Sequence, residues 1–150
     1  MKCKTDQKHI DGHFKKIEIW CKANNISLIG GKEFLYCPER STIFYNKKCG
    51  KKKIIFTLLH ECGHVVIQNK KDYKKQYKTQ YRALFDGRVD GSLGWRVDVL
   101  KEEFEAWKVG FSLAKEMELA IDEEEYNKCS SGFLKLYCMW VANPKEYGNM

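Results

Sequence analysis

The stretch IIFTLLHECGHVVIQ, residues 54–68, is apolar almost all the way round a helix. At roughly 100° per residue, Ile54, Leu58, Cys62, Val65 and Val66 fall on one side, and Phe56, Thr57, His60, His64 and Ile67 share the other. Such a helix has no face to give to water and must be covered on both. The chain therefore needs further layers around it. Its 150 residues, 43% of them hydrophobic, suffice for one such core but not for two ordinary domains. Residues 1–150 are expected to form a single domain. Pro38 and Pro144 are the only prolines, and no Ser/Gly-rich tract suggests a linker.

Upstream, Ile10, Phe14, Ile17 and Cys21 recur at three- and four-residue intervals with Trp20 beside them. This predicts an amphipathic helix over residues 8–24. The period then changes. ISLIGGKEFLYCPERSTIFYN carries a Gly30-Gly31 break and places aromatic and β-branched residues on either side of Pro38-Glu39-Arg40-Ser41, the pattern of a hairpin or short meander. Strands are expected near residues 26–29, 33–37 and 42–46, forming a short antiparallel sheet.

Downstream, Tyr73, Tyr77 and Tyr81 at i, i+4 spacing suggest a surface helix over 71–85 with its tyrosines packed inward. Gly87, Gly91 and Gly94 precede a helix over 95–118 with the stripe Val97, Leu100, Phe104, Trp107, Phe111 and Ala114. The last helix opens at Asp122, where Glu125 can complete a capping box. It carries the stripe Tyr126, Cys129, Phe133, Leu136, Tyr137 and Trp140, and stops before Pro144. An N-terminal helix, a short sheet and a mainly helical C-terminal half make an α+β arrangement.

No apolar run approaches the roughly 20 residues of a membrane span, and MKCKTDQKHIDGHFKK lacks the apolar centre of a signal peptide. Seven cysteines (Cys3, Cys21, Cys37, Cys49, Cys62, Cys129 and Cys138) form no CxxC pair, which suits a reducing compartment better than a disulfide framework. A soluble cytoplasmic protein is expected. The net charge of +7 is concentrated in Lys51–Lys53 and in NKKDYKKQYKTQYR, residues 69–82. Such runs attract nucleic acid or an acidic partner. No nucleic-acid motif accompanies them, so a lysine-rich solvated surface is the simpler reading.

Chemistry concentrates at HECGH. Two histidines at i and i+4 point the same way from one helix, so His60 and His64 can reach one metal ion without bending the backbone. Glu61 follows His60 directly but is turned away from the ligand direction, where it can act as general base on a water at the metal. Random placement of four histidines and the chain's glutamates spells HExxH in about 1% of chains this long, so chance is not the main rival. Zinc with two histidines wants a third protein ligand and an open fourth position.

That ligand must come from elsewhere, since His9 and His13 lie upstream in the first helix and no HxxGxxH extension follows His64. The block KEEFEAW offers Glu102, Glu103 and Glu105. On a helical wheel Glu103 falls about 60–80° from the apolar stripe, at the rim of the buried face, while Glu102 and Glu105 lie well over 100° away. Glu103 is the favoured ligand, with Glu105 and Glu102 as the alternatives. Ala106 and Gly110, on the side of Glu103, would let this helix approach the metal helix closely.

IIFTLLHECGHVV resembles the HExxH block of the ImmA/IrrE-like metallopeptidases, small gluzincins with a zincin-like fold. Glu103-Phe104-Glu105-Ala106-Trp107 resembles that family's ExEAN element. The resemblance implies Zn²⁺ held by His60, His64 and Glu103, with Glu61 catalytic, in a metallopeptidase acting on a specific protein or peptide. Trp107 stands where the family carries an Asn or Asp that touches a ligand histidine, so that support must come from another residue here. The segment between His64 and Glu103 is also longer than the family's usual gap, with the lysine/tyrosine helix as the insert. The strand near Thr42–Asn46 is expected to offer an edge to an extended substrate, and the tyrosine or histidine that often assists the oxyanion is not selected by the sequence.

Two other readings compete. A closed structural zinc site of Cys37, Cys49, His60 and His64 would make Glu61 dispensable. A non-catalytic zinc-bound scaffold could instead act as a regulatory binding module, through the basic surface, on nucleic acid or a partner protein.

Overall fold

The computed structural model describes residues 4–148, with side chains from residue 10 onward; Cys3 and the side chain of His9 fall outside the described residues. Helix α1 (Lys4–Ala23) leads through Asn25, whose φ of 58° turns the chain, into a three-stranded sheet: β1 (Ser27–Gly31), β2 (Leu35–Cys37) and β3 (Thr42–Asn46). Then follow α2 (Lys51–Gln68), the short α3 (Tyr73–Gln76) and α4 (Lys78–Arg82), the long α5 (Leu93–Glu116), α6 (Glu123–Ala142) and α7 (Pro144–Tyr147). The architecture is α+β, as expected, and among the described residues no helix is long and apolar enough to cross a membrane.

The sheet is mixed rather than antiparallel. Its order is β1-β3-β2, with β2 antiparallel to β3 through Leu35↔Phe44 and Cys37↔Thr42, and β1 parallel to β3 from Ser27↔Thr42 to Gly31↔Asn46. The turn at Pro38–Ser41 makes β2 and β3 a hairpin, closed by Ser41 N–H to the Pro38 carbonyl. Residues 32–34 then step over the end of β3, a distance of two strand spacings of about 4.8 Å, and leave β1 on its far side. Strand β3 is thus the central strand, with both edges paired.

Helix α2 begins one turn earlier than its apolar run, because Lys51 and Lys52 reach outward to Asp11 (2.9 Å) and Glu125 (2.8 Å). From Ile54 to Val65 every residue is buried, as a helix apolar on both faces requires. The sheet and α1 cover one side, where Ile17, Cys21 and Ile43 join the core, and α5 covers the other.

The contact between α2 and α5 is backbone-close. A Cβ at Gly63 would collide with the Ala106 carbonyl, and one at Gly110 would lie 2.6 Å from the Leu59 carbonyl oxygen. This intimacy rotates α5 away from the predicted stripe. Its buried residues are Asp98, Glu102, Ala106, Trp107, Gly110, Leu113 and Ala114, centred roughly 120° from the stripe on the helical wheel. Val97 and Phe104 are exposed, Phe104 by 56%, and on α6 Leu136 is exposed as well. Small residues, not large ones, mark the face that approaches α2.

The expected single helix over 71–85 is two. At Tyr77 (φ −113°, ψ 50°) the chain leaves the helix and restarts. The buried Asp98 carboxylate accepts from Thr79 N–H (2.9 Å) and Gln80 N–H (3.0 Å), satisfying amides that open α4. The tyrosines do pack inward: Tyr77 is buried, and Tyr73 and Tyr81 are half-buried.

Candidate metal centre

Helix α2 presents His60 and His64 one turn apart, and α5 brings Glu103 against both. His60 Nε2 lies 2.8 Å from Glu103 Oε2, His64 Nε2 lies 3.1 Å from Glu103 Oε1, and the two Nε2 atoms are 3.1 Å apart. A tetrahedral ion at about 2.0–2.1 Å from its ligands separates them by about 3.3 Å, so this triangle has the size of one face of a metal site. Among the described residues this is the one His/Cys/Asp/Glu group close enough to share an ion. Cys37 and Cys49 are not part of it. Glu105 is half-exposed and paired with Lys108, and His13 lines a different cavity at the N-terminal end of α2.

The protonation pattern argues for a cation as well. His64 Nδ1 donates to Glu102 Oε2 at 2.5 Å, so in the neutral ring the lone pair sits on Nε2 and points at His60 Nε2. His60 Nδ1 is buried with no hydrogen-bond partner. Nε2 lone pairs and a carboxylate facing one another in a buried cluster are costly unless a positive charge lies among them. With protons in that role, burial lowers the His64 pKa but Glu102 and Glu103 more than offset it, holding it well above its ordinary value. Burial likewise pushes Glu103 up, and His60 and His64 outweigh it and bring the carboxyl far below the carboxylate range.

Glu61 is buried in the same cavity, of about 280 Å³, which is also lined by Phe34, Leu35, Trp107, Phe133 and Tyr137. Burial raises its pKa and Glu103 adds to this, while His64, His60 and the Tyr36 backbone amide pull it down. Tyr137, from α6, is raised by burial and by the charges of Glu103 and Glu61 beside it. It is the tyrosine that lines this cavity, and the sequence did not single it out from eight.

Glu102 lies well over 100° from the predicted apolar stripe and is nonetheless only 3% exposed. The true buried face of α5 is centred between Glu102 and Glu103, so both carboxylates enter the site from either side of it. The one sequence signal for this was the small-residue ridge Ala106 and Gly110, followed as a helix-packing face in its own right. Support for the second histidine therefore comes from Glu102, while Trp107 stacks on His60 with centroids 4.3 Å apart.

No protein-family model matches the chain, and no curated protein or solved structure matches it.

Proposed function

We propose that the protein is a zinc-dependent metallopeptidase. The observation that carries this is the convergence of His60, His64 and Glu103 on one point, with a buried fourth group, Glu61, in the same cavity. Two imidazoles and a carboxylate form a borderline donor set suited to zinc. Bound there, zinc would supply Lewis acidity toward a carbonyl and bring a water's pKa to about 7. The resemblance of the HECGH and EEFEAW blocks to the ImmA/IrrE-like metallopeptidases supports the same reading.

Glu61 takes a proton from the attacking water and returns it to the departing amine; burial raises its pKa above the ordinary carboxylate value, the direction a general base needs. Tyr137 donates its hydroxyl to the developing oxyanion. The cavity wall of Phe34, Leu35 and Phe133 receives an apolar substrate side chain. Strand β3 cannot accept the peptide, because both its edges are paired. The edge beside the cavity is β2, reached through Phe34 and Leu35, and an extended peptide adds there.

Metal analysis of the purified protein tests the centre: close to one zinc per chain, falling sharply in His64→Ala and Glu103→Ala. Digestion of a peptide library tests the chemistry. Glu61→Gln keeps fold and metal and loses cleavage; cleavage persisting in Glu61→Gln would refute the hydrolase reading and favour a zinc-bound scaffold.

A further inference from the structure

The segment between α2 and α5 has no part in the chemistry above, yet it reaches the site. The Tyr73 hydroxyl, from the first residue of α3, donates to Glu102 Oε1 at 2.6 Å. The other oxygen, Oε2, accepts from Gln68 Nε2 at 3.0 Å and from His64 Nδ1 at 2.5 Å. Each oxygen of this buried carboxylate is thus held, one by α3 and one by α2. Three donors meet its two oxygens, so the carboxylate acts here as an acceptor only.

A charge-assisted bond to Nδ1 selects the imidazole tautomer and fixes the ring plane. His60 has no equivalent, its Nδ1 being unpartnered, so of the two Nδ1 atoms that of His64 alone is held, by Glu102. The segment that supplies Tyr73 is itself pinned to α5. Asp98 holds the start of α4, Tyr77 is buried, and Lys101 Nζ reaches the Gln76 carbonyl.

We propose that Tyr73 and Glu102 are positioning residues: Tyr73 clamps Glu102, and Glu102 holds His64 with Nδ1 protonated and Nε2 turned toward His60 and Glu103. The lysine- and tyrosine-rich segment is then part of the frame of the metal centre, and its docking on α5 sets the ligand geometry. The consequence for metal rests on the proposed reading of the site; the consequence for His64 does not.

The test compares Tyr73→Phe, Glu102→Gln and Glu102→Ala with wild type and with Lys75→Ala, an exposed control on α3. In the metal-free protein, ¹H–¹⁵N spectra follow solvent exchange of the His64 Nδ1 proton. Chelator competition measures zinc affinity, and the visible spectrum of the cobalt-substituted protein reports ligand geometry. Wild type and Lys75→Ala should show a slowly exchanging Nδ1 proton. Tyr73→Phe, which keeps its ring, should speed that exchange, shift the cobalt bands and weaken zinc binding by about tenfold, with Glu102→Ala nearer a hundredfold, the range over which such outer partners act. Glu102→Gln should fall between, because its amide oxygen still accepts from Nδ1.

Wild-type exchange, cobalt spectrum and zinc affinity in Tyr73→Phe would overturn the proposal, even if Glu102→Ala failed to fold. If the Nδ1 proton behaves as stated in every variant while wild type binds no zinc, the positioning of His64 stands and the metallopeptidase reading falls.

Discussion

The indole of Trp107 stacks on the imidazole of His60, with 4.3 Å between centroids and 23° between planes, and His60 Nδ1 is left without a hydrogen-bond partner. The two histidines of one motif are therefore oriented by different physics. His64 is held by a carboxylate, and His60 by an aromatic face that is itself wedged against Phe133 and Tyr126. Trp107→Ala should cost about 3–5 kcal/mol of stability, as large aromatic truncations in cores do. Trp107→Phe, which preserves a ring over His60, should keep metal stoichiometry. Urea unfolding and metal analysis on the same samples check both; a folded Trp107→Phe without metal would show that stacking of any ring is not what orients His60.

Much of this site was legible because spacing encodes it. His60 and His64 share a helix face at i, i+4, and Glu103 followed from phase, although the stripe used as reference proved exposed at Val97 and Phe104. Glu102 was not legible. A buried carboxylate is tolerated only through its partners, and those partners, His64, Gln68 and Tyr73, lie 29 to 38 residues away in the chain. The sheet shows the same limit. The Pro38–Ser41 turn encodes the β2–β3 hairpin locally, but nothing in residues 32–34 says which side of β3 receives β1. Likewise, tyrosines at i, i+4 read as one helix over 71–85, and it is Asp98, in another helix, that starts a second.

Gly63 sits where α2 and α5 touch, whereas a methyl added at Gly12, on the exposed side of α1, would meet nothing within 4 Å. Replacing glycine by alanine inside a helix gains up to about 1 kcal/mol of propensity, whereas overpacking costs about 1–3 kcal/mol, and at Gly63 the obstacle is the Ala106 carbonyl, which cannot rotate aside. Gly63→Ala should therefore lose stability and, by forcing α5 outward with Glu103, lose metal. Gly12→Ala should be neutral or stabilising. Denaturant midpoints decide, and a Gly63→Ala protein as stable as wild type would contradict the close packing described.

Tyr137 faces Glu103 and Glu61 from α6 and is not one of the three converging donors. Loss of one oxyanion donor typically costs about 10²–10³ in kcat. Tyr137→Phe should show that loss on a cleaved library peptide, with KM and zinc content near wild type. A Tyr137→Phe protein that instead loses zinc would reassign the phenol to holding Glu103.

Zinc binding and stability should be linked through the same three side chains. A ligand that binds only the folded chain stabilises it by about 2.7 kcal/mol at a free concentration 100 times its Kd, which for a chain of 150 residues is a rise of roughly 5–10 °C in Tm. Without the ion, His60 Nε2, His64 Nε2 and Glu103 must share protons at 2.8 to 3.1 Å, so chelation should lower Tm by that amount and zinc should restore it. Glu103→Ala removes the one member of the converging three that α5 contributes. Its Tm should not respond to zinc. A full zinc response in Glu103→Ala, measured by scanning calorimetry, would mean that the ion is held by α2 and some group other than Glu103.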